Sequence, residues 1–508
     1  MRYLICITAF ILLFTNLMGQ RGPVGIFKNG MDIGNPGIAG SAIYNENEQE
    51  YTLNGSGYNI WFNRDEFHYL FNEINGDFIL TASFKLSGKG TEPHRKTGWM
   101  LRASTDDDSP FISATLHGDG LTVLQWRNYK GASMLSTNNQ IPAPGSGYEI
   151  IQIERSGKII FTRAAHPGEA LENIGSYEMI NLPDKILAGP FICSHNPAVN
   201  EEVIVHNLRI DKPAGINYNP GKDGYTISRL ETMNVFDLKR KVIFEKQARF
   251  EAPNWMPDGA KLLFNMGGLL YKIPVKGGDI VPLRTGFANR INNDHGISFN
   301  GKLLAISHQR EGIPGGGSTV YVLPLKGGKP ELVTEQSPSY WHGWAPDNNE
   351  VIYVAKRDEK PEYNIYRKSI KRGKEIALTS CKSGEHVDGC EYSPDGKYIY
   401  YNGSHTGKMH IWRMKADGSG REEITSGEYY DWFPHVSPDG KWIVFLSFPP
   451  DIELNSHPPN KRVMLRLMPA DGGEPRVIAY LYGGQGTINV PSWSPDSKQI
   501  AFVSYSAK

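Results

Sequence analysis

Eight histidines fall in the second half of this chain: His295, His308, His342, His386, His405, His410, His435 and His457. Imidazole is the side chain whose charge changes near neutral pH, so several of them converging with carboxylates can bind a metal or move protons. The candidates for such chemistry are His295, His342, His386 and His435 with Asp294, Asp388 and Asp431. Trp341, Trp432, Arg310, Arg357, His405, Gln485 and Asn489 occupy neighbouring positions and are candidate ligand contacts. The donor set leaves the metal open, with a divalent ion as one occupant. The Gly-rich stretch Tyr482-Gly-Gly-Gln-Gly-Thr-Ile-Asn489 imitates a nucleotide loop, but it lacks the Lys-Ser/Thr pair and no helix pattern follows, so nucleotide binding is excluded.

A repeated turn phrase must position these residues. It reads Met-Pro-Asp-Gly at 256–259, Ser-Phe-Asn-Gly at 298–301, Ala-Pro-Asp-Asn at 345–348, Ser-Pro-Asp-Gly at 393–396 and 437–440, and Ser-Pro-Asp-Ser at 494–497. A period in the forties with a β-rich run after each phrase predicts a β-propeller, one four-stranded blade per repeat. Pro presets φ for the turn and Asp and Gly take the tight positions after it, so the phrase itself carries no chemistry. After the sixth phrase the chain supplies only two strands before Lys508. The outer two of that blade are expected from Leu230-Glu-Thr-Met-Asn-Val-Phe-Asp-Leu and Lys241-Val-Ile-Phe-Glu, which would close a six-bladed ring over 213–508. Strand direction alternates within a blade. The loops entering each first strand and leaving each second strand therefore share one face, and every one of these histidines except His410 is expected there.

The stretch 22–212 lacks the phrase and the period. Its short runs, such as Asp77-Phe-Ile-Leu-Thr-Ala-Ser-Phe, Leu121-Thr-Val-Leu-Gln-Trp-Arg and Tyr148-Glu-Ile-Ile-Gln-Ile-Glu-Arg, predict an antiparallel β-sandwich, giving an all-β protein. Trp61, Trp99, Trp126 and Tyr129 could stack on sugar rings, but Trp99 and Trp126 sit in apolar strands and read as core. Asp106-Asp107-Asp108 reads as a solvated loop, because three adjacent carboxylates lack the alternating spacing of a calcium loop. Residues 1–19 read as a signal peptide, with Arg2, an apolar run and small residues ending near Gly19. The expected destination is periplasmic or secreted, without a membrane span after cleavage. Cys193, Cys381 and Cys390 would remain; a Cys381–Cys390 bridge and three free thiols both fit, and the absence of Cys-x-x-Cys excludes a zinc knuckle. Lys+Arg and Asp+Glu balance at 54 each, which argues against a nucleic-acid partner.

The phrase, period and blade grammar resemble the TolB-like propellers of bacterial exported proteins. The wording Phe78-Ile-Leu-Thr-Ala-Ser-Phe, Gly98-Trp-Met-Leu-Arg, His117-Gly-Asp-Gly-Leu and Gly189-Pro-Phe-Ile-Cys-Ser-His195 resembles the concanavalin-like sandwiches of secreted carbohydrate-active proteins. These resemblances imply an exported protein that binds or processes carbohydrate at the histidine-lined face, by lyase-like or hydrolase-like chemistry. The alternative they imply is a non-enzymatic envelope scaffold with protein partners, as TolB is, although the small α/β domain preceding TolB's propeller is absent. Oligogalacturonate lyases use propellers of similar repeats with a Gln/His metal site, but no Gln-x-x-His-x-His occurs here.

Overall fold

Five four-stranded antiparallel sheets and a sixth, shared one form the C-terminal part of the computed structural model, which describes residues 22–508 apart from 89, 91, 136, 314–316 and 358–359. The leader expected over 1–19 lies outside the described residues. In blade 1 the strands run Phe250–Trp255, Lys261–Met266, Leu269–Pro274 and Val281–Pro282 from centre to rim. Each later blade repeats that order, with first strands at Ile291–Ile297, Ser339–Trp344, Val387–Tyr392 and Tyr430–Val436. The turn phrase sits between the first and second strand of each blade. Its fourth residue takes a left-handed backbone every time: Gly259 (φ 69°), Gly301 (68°), Asn348 (64°), Gly396 (71°), Gly440 (72°) and Ser497 (60°). That conformation favours Gly and Asn, which is why the phrase varies so little there.

The ring closes by exchange. Ile227–Asn234 pairs antiparallel with Gln499–Ser506 along its whole length, from Ile227↔Ser506 to Asn234↔Gln499, and Arg240–Gln247 lies outside it. These are the two strands expected from the start of the propeller. The innermost strand of that blade is shorter than expected, reduced to the single bridge Trp493↔Ile500.

Residues before the propeller form two seven-stranded antiparallel sheets. One contains Phe67–Asn75, Lys185–Cys193, Lys96–Arg102 and Phe111–His117 at its centre; the other contains Ile150–Ser156, Phe78–Leu86 and Glu201–Asp211. Both contribute to one core, in which Phe84 meets the edge of Trp99 at 5.7 Å. Burial alternates along Glu50–Gly55, as a strand with one apolar face requires. Trp99 is fully buried and donates its indole N–H to the Ile151 carbonyl, while Trp126 stacks on Tyr177 at 3.9 Å, so both are core residues. Trp61 is half-buried and Tyr129 is exposed. Asp106 pairs with Lys130. The cysteines 193, 381 and 390 are all free, so Cys381 and Cys390 are not bridged.

The two parts meet along the closing blade. Glu231 is fully buried between Arg209 (2.6 Å) from the N-terminal sheets and Arg240 (2.9 Å) from the propeller. Ala507 donates its N–H to the Lys212 carbonyl, and Gly168 bridges Val477. The only helix among the described residues is Pro220–Asp223, and none is long and apolar enough to cross a membrane.

Candidate functional site

Each of the first strands of blades 1 to 5 carries a register shift, between Glu251 and Asn254, Ile291 and His295, Trp341 and Gly343, Asp388 and Glu391, and Trp432 and His435. A bulge inserts an unpaired residue and turns the strand, re-aiming the side chains on either side of it. Side chains at or before these bulges face a central cavity of about 280 Å³, lined by Asp294, Tyr340, His342, Tyr363, His386, Asp388, His457 and Gln485 among others. Side chains just after a bulge turn away from it.

Asp388 is the hub. One carboxylate oxygen lies 2.7 Å from His342 Nε2; the other lies 3.8 Å from His386 Nε2 and 3.7 Å from His457 Nε2. Burial works against the charge of Asp388, but His342 foremost, then His386, hold its carboxyl well below the usual range. Burial likewise opposes a charged His342, and Asp388 outweighs it, leaving this imidazole above its ordinary value. In His457 burial wins and the ring is shifted down. Asp294 lacks such a partner. Burial raises it from 3.8 to about 7, with His342 lowering it and Asp388 raising it. The cavity thus holds a carboxyl that titrates near neutrality beside a carboxylate that stays ionised, an arrangement suited to giving and taking protons.

The wall is built from neighbouring blades. The Tyr340 and Tyr363 rings lie 6.1 Å apart, and burial pushes both hydroxyls upward, so they stay protonated. Asn292 donates to Asp294 at 2.9 Å. The Gly-rich stretch forms the opposite wall, where the Gly486 N–H donates to Asn489 Oδ1 and the Asn489 amide donates to Gln485 Oε1. Nδ1 of His342, Nδ1 of His457 and Nε2 of His386 are buried without a hydrogen-bond partner among the described residues. Buried polar atoms left unpaired in this way are open to a ligand.

Of the residues singled out from sequence, the structure brings Asp294, His342, His386, Asp388, Gln485 and Asn489 to the cavity. It places the others elsewhere. His295 lies beyond its bulge, fully buried, with burial lowering it to about 4. His435 also follows a bulge and stitches blades together, contacting Glu391 (2.7 Å) and the Ile488 carbonyl. Asp431 is buried against Arg466 and Ser447 inside blade 5. Trp341 and Trp432 are core residues in strands, not loop platforms, although Trp432 backs His457 at 4.5 Å. Arg357 forms a two-pronged pair with Glu375, at 2.6 and 2.7 Å. Arg310 reaches the Glu335 carbonyl, and His405 pairs with Glu385. Asn293, Tyr340, Tyr363 and Phe433 line the cavity and were not anticipated. A signal for part of this set existed. The residue five places before each turn phrase is Glu251, Asn293, Tyr340, Asp388, Trp432 or Asn489, and four of these six line the cavity.

No three metal-binding groups of the cavity bring donor atoms within 4.8 Å of one another; among the described residues only Cys381, Glu385 and His405 do, and they are not part of its lining. The cavity as built therefore fits proton transfer better than a three-ligand ion site.

Asp294 yields a direct test. A carboxyl with a raised folded pKa contributes stability that is complete below its unfolded value and lost as the pH climbs through the folded one. Stability is therefore expected to fall between about pH 4 and about pH 7 through this group, and Asp294→Asn is expected to flatten that stretch. Melting temperatures of both proteins across the interval check it; parallel curves would refute it.

Residues 314–451 match the TolB beta propeller domain family. An uncharacterized protein of Agrobacterium fabrum is 46% identical over 287 residues, spanning 56% of this chain and 94% of that protein. A solved Agrobacterium tumefaciens structure described as a "putative TolB" is 45% identical, covering 56% of this chain and 99% of its own, with a TM-score of 0.52. The Tol-Pal system protein TolB of Anaeromyxobacter dehalogenans is 32% identical over 112 residues, covering 22% of this chain and 24% of that protein.

Proposed function

Because the chain belongs to the TolB-like β-propeller family through its C-terminal part, we propose that it is an exported propeller protein that binds and processes carbohydrate in the cavity around Asp388. The reading assigns a signal peptide to 1–19, a concanavalin-like sandwich to 22–212 and the six-bladed propeller to 213–508. The single observation that carries it is the hub itself: one ionised carboxylate among three imidazoles, beside a carboxyl raised to about 7.

The reaction class that suits these groups is β-elimination from a uronate-containing glycan. The protonated His342 is the cation available to the sugar carboxylate. The His457 imidazole, which burial shifts down, takes the proton from the carbon next to that carboxylate. The electron pair forms the carbon–carbon double bond as the C–O bond breaks, and protonated Asp294 delivers a proton to the departing oxygen. Atoms and charge balance without a metal or a redox partner. A volume of about 280 Å³ falls just below the usual range for small-molecule sites, which starts at about 300 Å³, and suits the end of a glycan chain.

The experiment is incubation of the purified chain with a panel of neutral and uronate-containing oligosaccharides, following binding and the ultraviolet absorbance of an unsaturated product. Saturable binding of uronates with appearance of that chromophore is expected. If no glycan in the panel binds, the reading fails. The likeness to Anaeromyxobacter TolB favours a second reading, an envelope scaffold with protein partners, and recovery of an envelope protein that binds with full affinity to an Asp388→Asn variant would support it.

A further inference from the structure

Beside the cavity, between the loop that enters blade 4 and the turn after its second strand, three side chains of different chemistry converge. Cys381 Sγ, a Glu385 carboxylate oxygen and a His405 ring nitrogen all lie within 4.8 Å of one another, and all three residues are half-buried. His405 Nδ1 is 3.2 Å from Glu385 Oε2. The geometry points to a transition-metal site made of a thiolate, a carboxylate and an imidazole, filled by a zinc-like divalent ion with water in the remaining position.

The donor set selects the metal. Thiolate and imidazole favour zinc and its neighbours in the first transition row over calcium or magnesium, which prefer all-oxygen shells. The charges also match, since one thiolate and one carboxylate neutralise a divalent cation. On binding, the sulfur–hydrogen bond is exchanged for a sulfur–metal bond and the proton leaves to solvent. Burial first and Glu385 second push the free Cys381 thiol up to about 12, so without the ion it stays protonated.

The surroundings hold the ligands in place. The Cys381 backbone N–H donates to Asn364 Oδ1 (2.8 Å), and the Lys382 N–H donates to Glu385 Oε2 (2.9 Å). Nε2 of His405 lies 3.5 Å from the Tyr401 hydroxyl, leaving Nδ1 aimed at Glu385, and the ring rests against Trp412 at 5.0 Å. Such outer partners fix the orientation of a ligating imidazole. The ion would clip the loop before blade 4 to the turn after its second strand. His386 and Ser404, the residues following Glu385 and preceding His405, are already tied there: the Ser404 N–H donates to the His386 carbonyl and the His386 N–H donates to the Ser404 hydroxyl. Since His386 lines the cavity, the clip would fix one cavity wall, yet the site stands whether or not the cavity processes glycan.

Titration of the metal-stripped full chain with Zn²⁺ and with Co²⁺ tests the assignment. One equivalent is expected to bind. The cobalt form should show a sulfur-to-cobalt charge-transfer band that is lost in Cys381→Ser, and His405→Ala should weaken binding by about 100-fold or more. Zinc should also protect Cys381 of the unaltered chain from alkylation, a readout independent of any variant's folding. Asp388→Asn is expected to keep full stoichiometry; loss of the ion in that variant would move it into the cavity and overturn the assignment. Absence of binding, or a spectrum and affinity unchanged by Cys381→Ser, would overturn it as well.

Discussion

Replacing Asp388 by asparagine is expected to lower glycan turnover by about 10²- to 10⁴-fold, the range for losing general acid–base function. Asp388 acts as a positioning residue through His342, His386 and His457, which its two oxygens contact. Without the carboxylate, burial is the dominant influence on His342 and drives its pKa below the ordinary value instead of above it. The cation that would meet a sugar carboxylate therefore disappears at neutral pH. Two measurements separate this from a structural defect. The His342 imidazole resonance should titrate at lower pH in the variant than in the unaltered protein, and the surviving turnover should shift toward acid. A variant with normal turnover, or with His342 titrating unchanged, would remove Asp388 from the site.

The second large effect is on stability. Glu231→Ala is expected to cost about 3–5 kcal/mol, because it leaves Arg209 and Arg240 buried without a counter-charge. Burial opposes the Glu231 charge, yet Arg209 and Arg240 hold its carboxyl below the ordinary range, and Ser504 adds a hydrogen bond from the closing strand. Together with Ser504, the two arginines and Glu231 join the N-terminal sheets, the first two propeller strands and the last one, so loss of Glu231 should loosen the closure of the ring. Thermal unfolding of the variant is expected to begin at a lower temperature, with amide exchange rising first in Ile227–Asn234 and Gln499–Ser506. An unchanged melting curve would show that the triad does not hold the closure.

The repeat and its closure could be read from sequence because both depend on local turn chemistry. A Pro-Asp-Gly turn with a left-handed fourth residue specifies a hairpin without reference to distant residues. The strand borrowed from the start of the propeller follows from counting what remains after Ser497. The site was only partly legible. Sorting histidines by loop position brought His342, His386, Asp388 and Asp294 to one place. It misdirected His295 and His435, because a bulge reverses the side-chain alternation that the sorting relied on. After the bulge His435 points between blades to Glu391, not into the cavity. Tyr363 comes from the third strand of the same blade as Tyr340, and its approach to Tyr340 spans the strand between them, which no local pattern encodes. Trp341 and Trp432 read as candidate ligand contacts from their place beside the histidines, but they lie in strands and their rings are buried in the core.

The most direct test of the central claim is a titration of the isotope-labelled protein with a uronate oligosaccharide, following the histidine ring resonances. Saturable shifts confined to His342, His386 and His457, with His308 and His410 unmoved, are the predicted result. Shifts at none of the three, or at residues of the N-terminal sheets alone, would contradict it.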